Sequence, residues 1–186
     1  MLDKINTKDI VTIAKEAGDV IMQIYNQDFE VEYKQDSSPL TLADKKANDI
    51  IENSLNQLSV NLPILSEEGK DIPYEERKYW EYFWLVDPLD GTKEFVKKNG
   101  EFTVNIALIH KDTPVLGVVY APALDICYWA KQGEGAFKDG QRLPLKTESQ
   151  RETYKIVASR SHMSDETQAF IDDIDTDKEK ELISIG

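Results

Sequence analysis

Asp87-Pro88-Leu89-Asp90-Gly91-Thr92 concentrates chemistry-bearing groups within six residues of this 186-residue chain. Two carboxylates three positions apart, a backbone carbonyl between them and a hydroxyl beyond them form an all-oxygen donor set. Hard cations such as Mg²⁺ take ligands of that kind. Pro88 stiffens the exit from the preceding residues, and Gly91 permits a tight turn. A helix can begin at Thr92, and a turn entering a helix exposes unpaired N–H groups that favour a phosphate. One short segment therefore offers both halves of a metal-assisted phosphate-ester chemistry. The plain alternative is a Pro-Gly turn carrying two solvated Asp residues.

A second acidic element shifts the balance. Residues 62–66 (Leu62-Pro63-Ile64-Leu65-Ser66) read as a short strand that ends in Glu67-Glu68-Gly69. If this strand lies beside the one leading into Asp87, Glu67 or Glu68 meets Asp87 and Asp90. Two carboxylates ~4 Å apart repel by roughly 4 kcal/mol at an effective dielectric of ~20. A fold that gathers three needs protons or cations, and cations also neutralise an anionic substrate. Taken alone, Glu-Glu-Gly is a solvated loop. Asp44 has a local reading as well: Thr41-x-x-Asp44 opens an apolar-periodic segment with Ala43, Ala47, Ile50, Ile51 and Leu55, as a capping box does with Asp in place of Glu.

The elements that must position these groups follow from periodicity. Ile10, Ile13, Ala14, Ala17, Val20, Ile21 and Ile24 form an amphipathic stripe, predicting a helix over 7–27 capped by Asn6 or Thr7. Residues 27–39 are polar and extended, with Val31 and Tyr33 alternating as in a short hairpin. Lys34 sits there as a solvated side chain that could alternatively touch phosphate. A second helix spans 41–58. Strands follow at 62–66 and 82–87, the latter an apolar aromatic run that reads as buried; a short helix follows Thr92. Further strands are expected at 102–110, 114–120, 125–130 and 135–138, with Asp139-Gly140 turning the last into 141–145. Consecutive short strands joined by tight turns argue for an antiparallel sheet backed by the two helices. Residues 1–148 read as this helix and antiparallel-sheet domain, and 149–186 as the start of a second α/β domain. The acidic stretch 165–181 reads as a solvated helix face and loop, because no Ca²⁺-loop spacing appears in it.

Taken together, the three acidic motifs resemble the lithium-sensitive, Mg²⁺-dependent phosphatases typified by inositol monophosphatase. The resemblance runs from about Ile10 to the last residue. Its marks are Ser38-Pro39-Leu40-Thr41-Leu42-Ala43-Asp44, Leu65-Ser66-Glu67-Glu68-Gly69, and Asp87 through Thr92 with Phe95. Within that family the chain looks like the 3′(2′),5′-bisphosphate nucleotidase branch. Lys93-Glu94-Phe95 stands where inositol phosphatases tend to carry Thr-Asn, and two later stretches, 99–105 and 157–162, are of the same branch. The implied fold is the layered α/β sugar-phosphatase fold.

What the resemblance implies for the site is specific. Glu67, Asp87, Asp90 and the Leu89 carbonyl would hold two or three Mg²⁺ ions, with Asp87 and Asp90 sharing them. Gly91 and Thr92 would hold the scissile phosphate, with Glu67, Leu89 and Asp90 against the same substrate. Asp44 would pair with Thr92 to orient the attacking water, Glu67 would join them in catalysis, and Glu68 would stand behind the ligands. The implied reaction is removal of the 3′-phosphate of adenosine 3′,5′-bisphosphate to give AMP, within sulfate assimilation. An inositol or other sugar monophosphatase is the alternative with the same machinery.

One departure qualifies the match. The family carries a Trp-Asp-x-Ala-Ala motif whose Asp supplies another ligand, whereas Trp80, Trp84 and Trp129 are followed here by Glu81, Leu85 and Ala130. The expectation is a fragment that binds Mg²⁺ weakly and turns over slowly. A non-catalytic metal- or partner-binding chain is the reading from a different class.

Composition bounds the rest. A net charge of −13 argues against nucleic-acid polymers and anionic membranes as partners. It admits an anionic small-molecule substrate only where cations reverse the local field. The one cysteine, Cys127, forbids an internal disulfide and suits a reducing, cytoplasmic setting; in Ile126-Cys127-Tyr128-Trp129 it reads as buried filler. Neither a signal-peptide core nor a membrane-spanning apolar run is present in the sequence. His110 ends a strand and reads as structural. Ser159-Arg160-Ser161-His162 is a polar patch in which the Arg160 guanidinium suits a second phosphate, a surface turn being the alternative.

Overall fold

A computed structural model describes residues 1–27, 31–33, 39–144, 152–159 and 163–185. They form two compact units, Met1–Leu143 and Pro144–Gly186. In chain order the first holds α1 (Thr7–Tyr25), β1 (Val31–Tyr33), β2 (Pro39–Thr41), α2 (Leu42–Asn56), β3 (Ile64–Ser66), α3 (Tyr74–Arg77) and β4 (Tyr82–Asp90). After these come α4 (Thr92–Val96), β5 (Thr103–His110), β6 (Thr113–Ala121), β7 (Ile126–Lys131), β8 (Gly135–Lys138) and β9 (Gln141–Arg142). The sheet order is β3-β4-β5-β6-β7-β8-β9, with β1 and β2 paired separately as an antiparallel ribbon.

The layered α/β arrangement expected from the sequence is present, with a mainly antiparallel sheet. The exception is the edge pair: β3 runs parallel to β4, Ser66 lying opposite Val86. A parallel pair needs a crossover, and the segment supplying it contains α3, a single turn that the sequence pattern did not reveal. The second difference is the length of β4. It was expected to end at Asp87, yet its ladder with β5 resumes at Asp90 after a register shift. Four residues on β4, Asp87 to Asp90, span three on β5, a bulge that accommodates Pro88 and its missing N–H.

The core lies between the helices and one face of this sheet. Asn6 caps α1, its side-chain oxygen accepting from Lys8 N–H at 3.1 Å. The α1 stripe Ile10, Ile13, Ala14, Ala17 and Ile21 is buried with Ala43, Ala47, Ile51 and Leu55 of α2. Trp84 and Val86 of β4, Val104, Ile106 and Leu108 of β5, and Leu116, Val118 and Tyr120 of β6 meet them from the sheet. Each fully buried Ile or Leu contributes about 1.5–3 kcal/mol. The opposite face is less covered: Leu85 and Val119 are 44% and 42% exposed. The run through β4 therefore alternates, where its apolar sequence had suggested burial on both faces.

Turn chemistry at the far edge is as expected, since Asp139 and Gly140 both have positive φ (46° and 79°) and join β8 to β9. His110 stacks on Tyr82 with ring centroids 4.2 Å apart, and Cys127 is buried at 3% exposure. In the second unit, β10 (Thr153–Ser159) and β11 (Glu179–Ile185) pair in parallel, with α5 (Asp165–Asp173) between them in sequence. Ser164 caps α5 through Thr167 N–H at 3.2 Å, and Ile156 and Ile171 are its buried residues. The acidic stretch 165–181 is thus part helix and part strand: the helix face is present, but its last residues open β11, whose pairing with β10 the local composition conceals. Among the described residues no helix is long and apolar enough to cross a membrane.

Gly18 reveals how tightly α1 lies on the sheet. A Cβ there would stand 2.4 Å from a Tyr120 ring carbon. Helix propensity favours Ala over Gly by about 1 kcal/mol, whereas overpacking costs about 1–3 kcal/mol. Gly18→Ala is expected to lower the urea midpoint; an unchanged or higher midpoint would show that α1 can move off Tyr120.

Candidate active site

Parallel pairing makes neighbours of Glu67 and Asp87. The Glu67 N–H donates to the Val86 carbonyl at 3.0 Å, so both residues leave the same end of the β3–β4 pair. The Asp87 carboxyl feels both the Glu67 side chain, which favours its protonated form, and the Leu89 backbone N–H, which favours its charged form. Its Oδ1 is buried with no hydrogen-bond partner. Burial first, then the charges of Glu67 and Asp90, push this carboxyl up from 3.8 to about 7, against the smaller opposing effect of the Leu89 N–H.

Asp90 lies across the bulge and is exposed. Its Oδ2 accepts from the Asn105 amide Nδ2 at 3.1 Å. Among the described residues no three His, Cys, Asp or Glu side chains form a ready-made metal cage. The carboxylates are arranged instead as a Glu67–Asp87 contact, with Asp90 within electrostatic reach and turned to Asn105. Glu68, next in the chain, is half-buried.

Asp44 joins the site from α2. It is 1% exposed, and its two oxygens serve two purposes. Oδ2 accepts from Thr41 N–H at 2.8 Å and Thr41 Oγ1 at 2.6 Å, while Thr41 Oγ1 accepts from Ala43 N–H at 3.1 Å, closing the capping box. Oδ1 accepts from Thr92 Oγ1 at 3.1 Å. The Thr92 hydroxyl also lies 3.2 Å from the Leu89 carbonyl. Having one hydrogen, it can serve only one acceptor at a time.

Gly91 makes this geometry possible. It has φ +93°, and a Cβ would stand 2.8 Å from the Glu101 carbonyl oxygen. Behind the turn, Tyr25, Phe95 and Phe102 form a triangle with centroids 5.0–5.3 Å apart, fixing α4 and the start of β5 to the end of α1. Lys98 adds a second tie, donating to the Tyr25 carbonyl and, at 3.0 Å, to that of Gln27.

A cleft of about 370 Å³ opens beside Glu67 and Asp87, with Leu85, Asn105 and Val119 among its walls. A larger cavity of about 630 Å³, around Cys127 and Lys131, is lined by none of these acidic residues. Chemistry therefore favours the smaller opening. Asn105 and Thr103, whose hydroxyl donates to Asn105 Oδ1 at 3.2 Å, were not singled out from sequence. The available signal was a lone Asn at an outward position of β5, directly opposite Asp87. Ser66 and Asn48 were missed too; their 2.6 Å hydrogen bond ties the end of β3 to α2. Arg160 and Lys34 lie outside the described residues.

The donors here are all oxygens, one of them a buried Asp87 carboxylate oxygen without a partner, and oxygens are the ligand type hard divalent cations take. The chain matches the inositol monophosphatase family over residues 3–186 and belongs to it, and with it to the phosphatases. Members of this family are generally metal-dependent. The chain is 46% identical over 183 residues to the 3′(2′),5′-bisphosphate nucleotidase CysQ of Salmonella typhimurium, covering 96% of this chain and 72% of that protein. It is 44% identical to the CysQ of Escherichia coli strain K12, covering 95% and 71%. The crystal structure of CysQ from Bacteroides thetaiotaomicron superimposes with a TM-score of 0.82 at 40% identity, over 97% of this chain and 72% of that one.

The Asp87 carboxyl carries a linkage consequence. Without metal, the folded chain keeps this proton up to about pH 7, whereas an ordinary carboxyl releases it near 3.8. Between those values the folded state binds more protons than the unfolded, so stability from this group falls as pH rises. Metal-free wild type should lose melting temperature relative to Asp87→Asn from about pH 4 to about pH 7, the difference closing below about pH 4. Parallel curves across that range would remove the burial cost assigned to Asp87.

Proposed function

We propose that this chain is a Mg²⁺-dependent phosphomonoesterase that converts adenosine 3′,5′-bisphosphate and water into AMP and phosphate. The observation that carries the reading is the coupling of Asp87 to Glu67 and Asp90, with a buried unpartnered Asp87 oxygen; the Asp44–Thr92 hydrogen bond supports it. Kinship with the CysQ nucleotidases supports the choice of substrate.

Glu67, Asp87, Asp90 and the Leu89 carbonyl would hold two or three Mg²⁺ ions, with Glu68 behind them. Bound there, the ions supply Lewis acidity and neutralise the charge of a phosphate on an acidic protein. The protein's own groups do the remaining work. Gly91 and Thr92 hold the scissile phosphate through backbone N–H groups, for which the left-handed Gly91 turn leaves room. Thr92 Oγ1, donating to Asp44 Oδ1, keeps lone pairs to accept a hydrogen from the attacking water and so aims the water oxygen at phosphorus. The new P–O bond forms as the bond to the ribose 3′ oxygen breaks, and that oxygen takes up a proton from solvent water, a balance restored when Asp44 later returns its proton to solvent. A proton from the water can pass through Thr92 Oγ1 to Asp44 Oδ1. Positioning of this kind supplies most of the catalysis in phosphoryl transfer. Inositol phosphate is the competing substrate.

Phosphate release from adenosine 3′,5′-bisphosphate and from inositol 1-phosphate, with Mg²⁺ titrated, tests the reading. The nucleotide should be preferred, and Asp90→Asn should lower turnover by roughly a hundredfold or more, as removal of charge-organising groups does. A wild-type rate in Asp90→Asn, or a strong preference for the inositol ester, would overturn it. Thr92→Val separates the two duties of Asp44. It leaves the Thr41 cap intact but takes the donor from one buried Asp44 oxygen, costing about 1–3 kcal/mol, while turnover should fall by roughly 10²–10⁴-fold. Asp44→Ala should lose both, at about 0.5–2 kcal/mol for the cap.

A further inference from the structure

We infer that Asn105 is a positioning residue for Asp90, holding that carboxylate in the orientation from which it serves a divalent ion. The inference rests on the metal-dependent reading of the site and extends it to a residue that is not itself a ligand. Asn105 lies opposite Asp87 in the β4–β5 ladder, on the sheet face that carries Leu85 and Val119. It lines the same cleft as Glu67 and Asp87. Its Nδ2 donates to Asp90 Oδ2 at 3.1 Å, and its Oδ1 accepts from Thr103 Oγ1 at 3.2 Å.

The two hydrogen bonds are compatible in one orientation of the amide. The Asp90 carboxylate only accepts, so it takes the NH₂ end, and the Thr103 hydroxyl, which can donate, then steadies the oxygen end. Thr103 and Asn105 are two residues apart on one strand and share a face, while Asp90 itself pairs with Thr103 across the bulge. The bulge frees Asp90 from the ladder's regular geometry, so its carboxylate requires an outside constraint. The Asn105 amide is a neutral donor: it steadies one carboxylate oxygen without adding a positive charge that would compete with a cation, and leaves Oδ1 available. Partners of this kind behind a metal ligand are worth about 10–100-fold in affinity or activity.

The test compares wild type with Asn105→Leu, Asn105→Gln and Thr103→Val. Magnesium binding is read, with no substrate present, as the Mg²⁺ concentration giving the half-maximal rise in melting temperature. Asn105→Leu, similar in size but without a donor, should raise that concentration roughly tenfold or more. Thr103→Val should move it the same way by less, and Asn105→Gln, which keeps an amide, should recover part of the loss. Metal-free melting temperatures should stay near wild type, and at saturating Mg²⁺ the Michaelis constant for the nucleotide should be unchanged. Equal Mg²⁺ dependence in wild type and Asn105→Leu overturns the inference while leaving the function standing. The same holds if the Mg²⁺ loss is matched by an equal loss of metal-free stability. Wild type with neither Mg²⁺-dependent stabilisation nor phosphate release would sink both.

Discussion

Strand pairing at one sheet edge sets two acidic residues side by side. Once β3 lies parallel to β4 with Ser66 opposite Val86, the next residue on each strand is acidic, and the Glu67 N–H is already committed to the Val86 carbonyl. The two backbones cannot part without breaking the edge of the sheet, whose β4 side is anchored by Trp84 and Val86 in the core, while the exposed Glu67 side chain can still turn. Burial of Asp87, with the charges of Glu67 and Asp90 added to it, raises its carboxyl to about 7, so protonation is one answer. A divalent cation is the other, and it alone answers for an anionic substrate as well.

Around that pair the scaffold repeatedly uses one group for two purposes. Asp44 closes the α2 capping box with one oxygen and reaches Thr92 with the other, so the start of a core helix and the Gly91–Thr92 turn share a fixed point. Phe95 and Phe102 do the same from the apolar side, packing with Tyr25 on either side of the Gly91 turn. Among the described residues, the donors reaching Asp44, Asp87 and Asp90 are neutral: backbone N–H groups, Thr hydroxyls and the Asn105 amide. A lysine in any of those places would quench the negative field on which cation binding depends.

Local pattern disclosed much of this. The α1 stripe, the Asp139-Gly140 turn, the Thr41-x-x-Asp44 box and the apolar run into Asp87 are each written within a dozen residues, where periodicity and turn chemistry suffice. What stayed hidden is non-local. Nothing in residues 62–66 says that their strand pairs in parallel, since the side-chain pattern of a three-residue strand is the same in either direction. The bulge at Pro88 shows only when both strands are counted against each other. Asn105 looks like an ordinary outward residue until β5 is laid beside β4, and the end of the acidic stretch 165–181 looks solvated until β11 finds β10. The nucleotide branch itself was legible through resemblance of motifs, which periodicity could not have supplied.

The acidity of the whole chain is then less paradoxical than it looks. A protein of net charge −13 repels a bisphosphate at long range, but within about 8 Å in physiological salt local charges dominate. Two or three divalent ions among Glu67, Asp87 and Asp90 would turn that neighbourhood from negative toward positive while the rest of the surface stays acidic. Attraction would then be confined to the one place where chemistry can occur, and would depend on the same ions that perform it. Polyanions such as nucleic acids, which contact a broad surface, would meet mostly repulsion, whereas a small phosphate ester needs only the cleft beside Asp87. On this reading, selectivity for small anions follows from how little of the surface the ions convert.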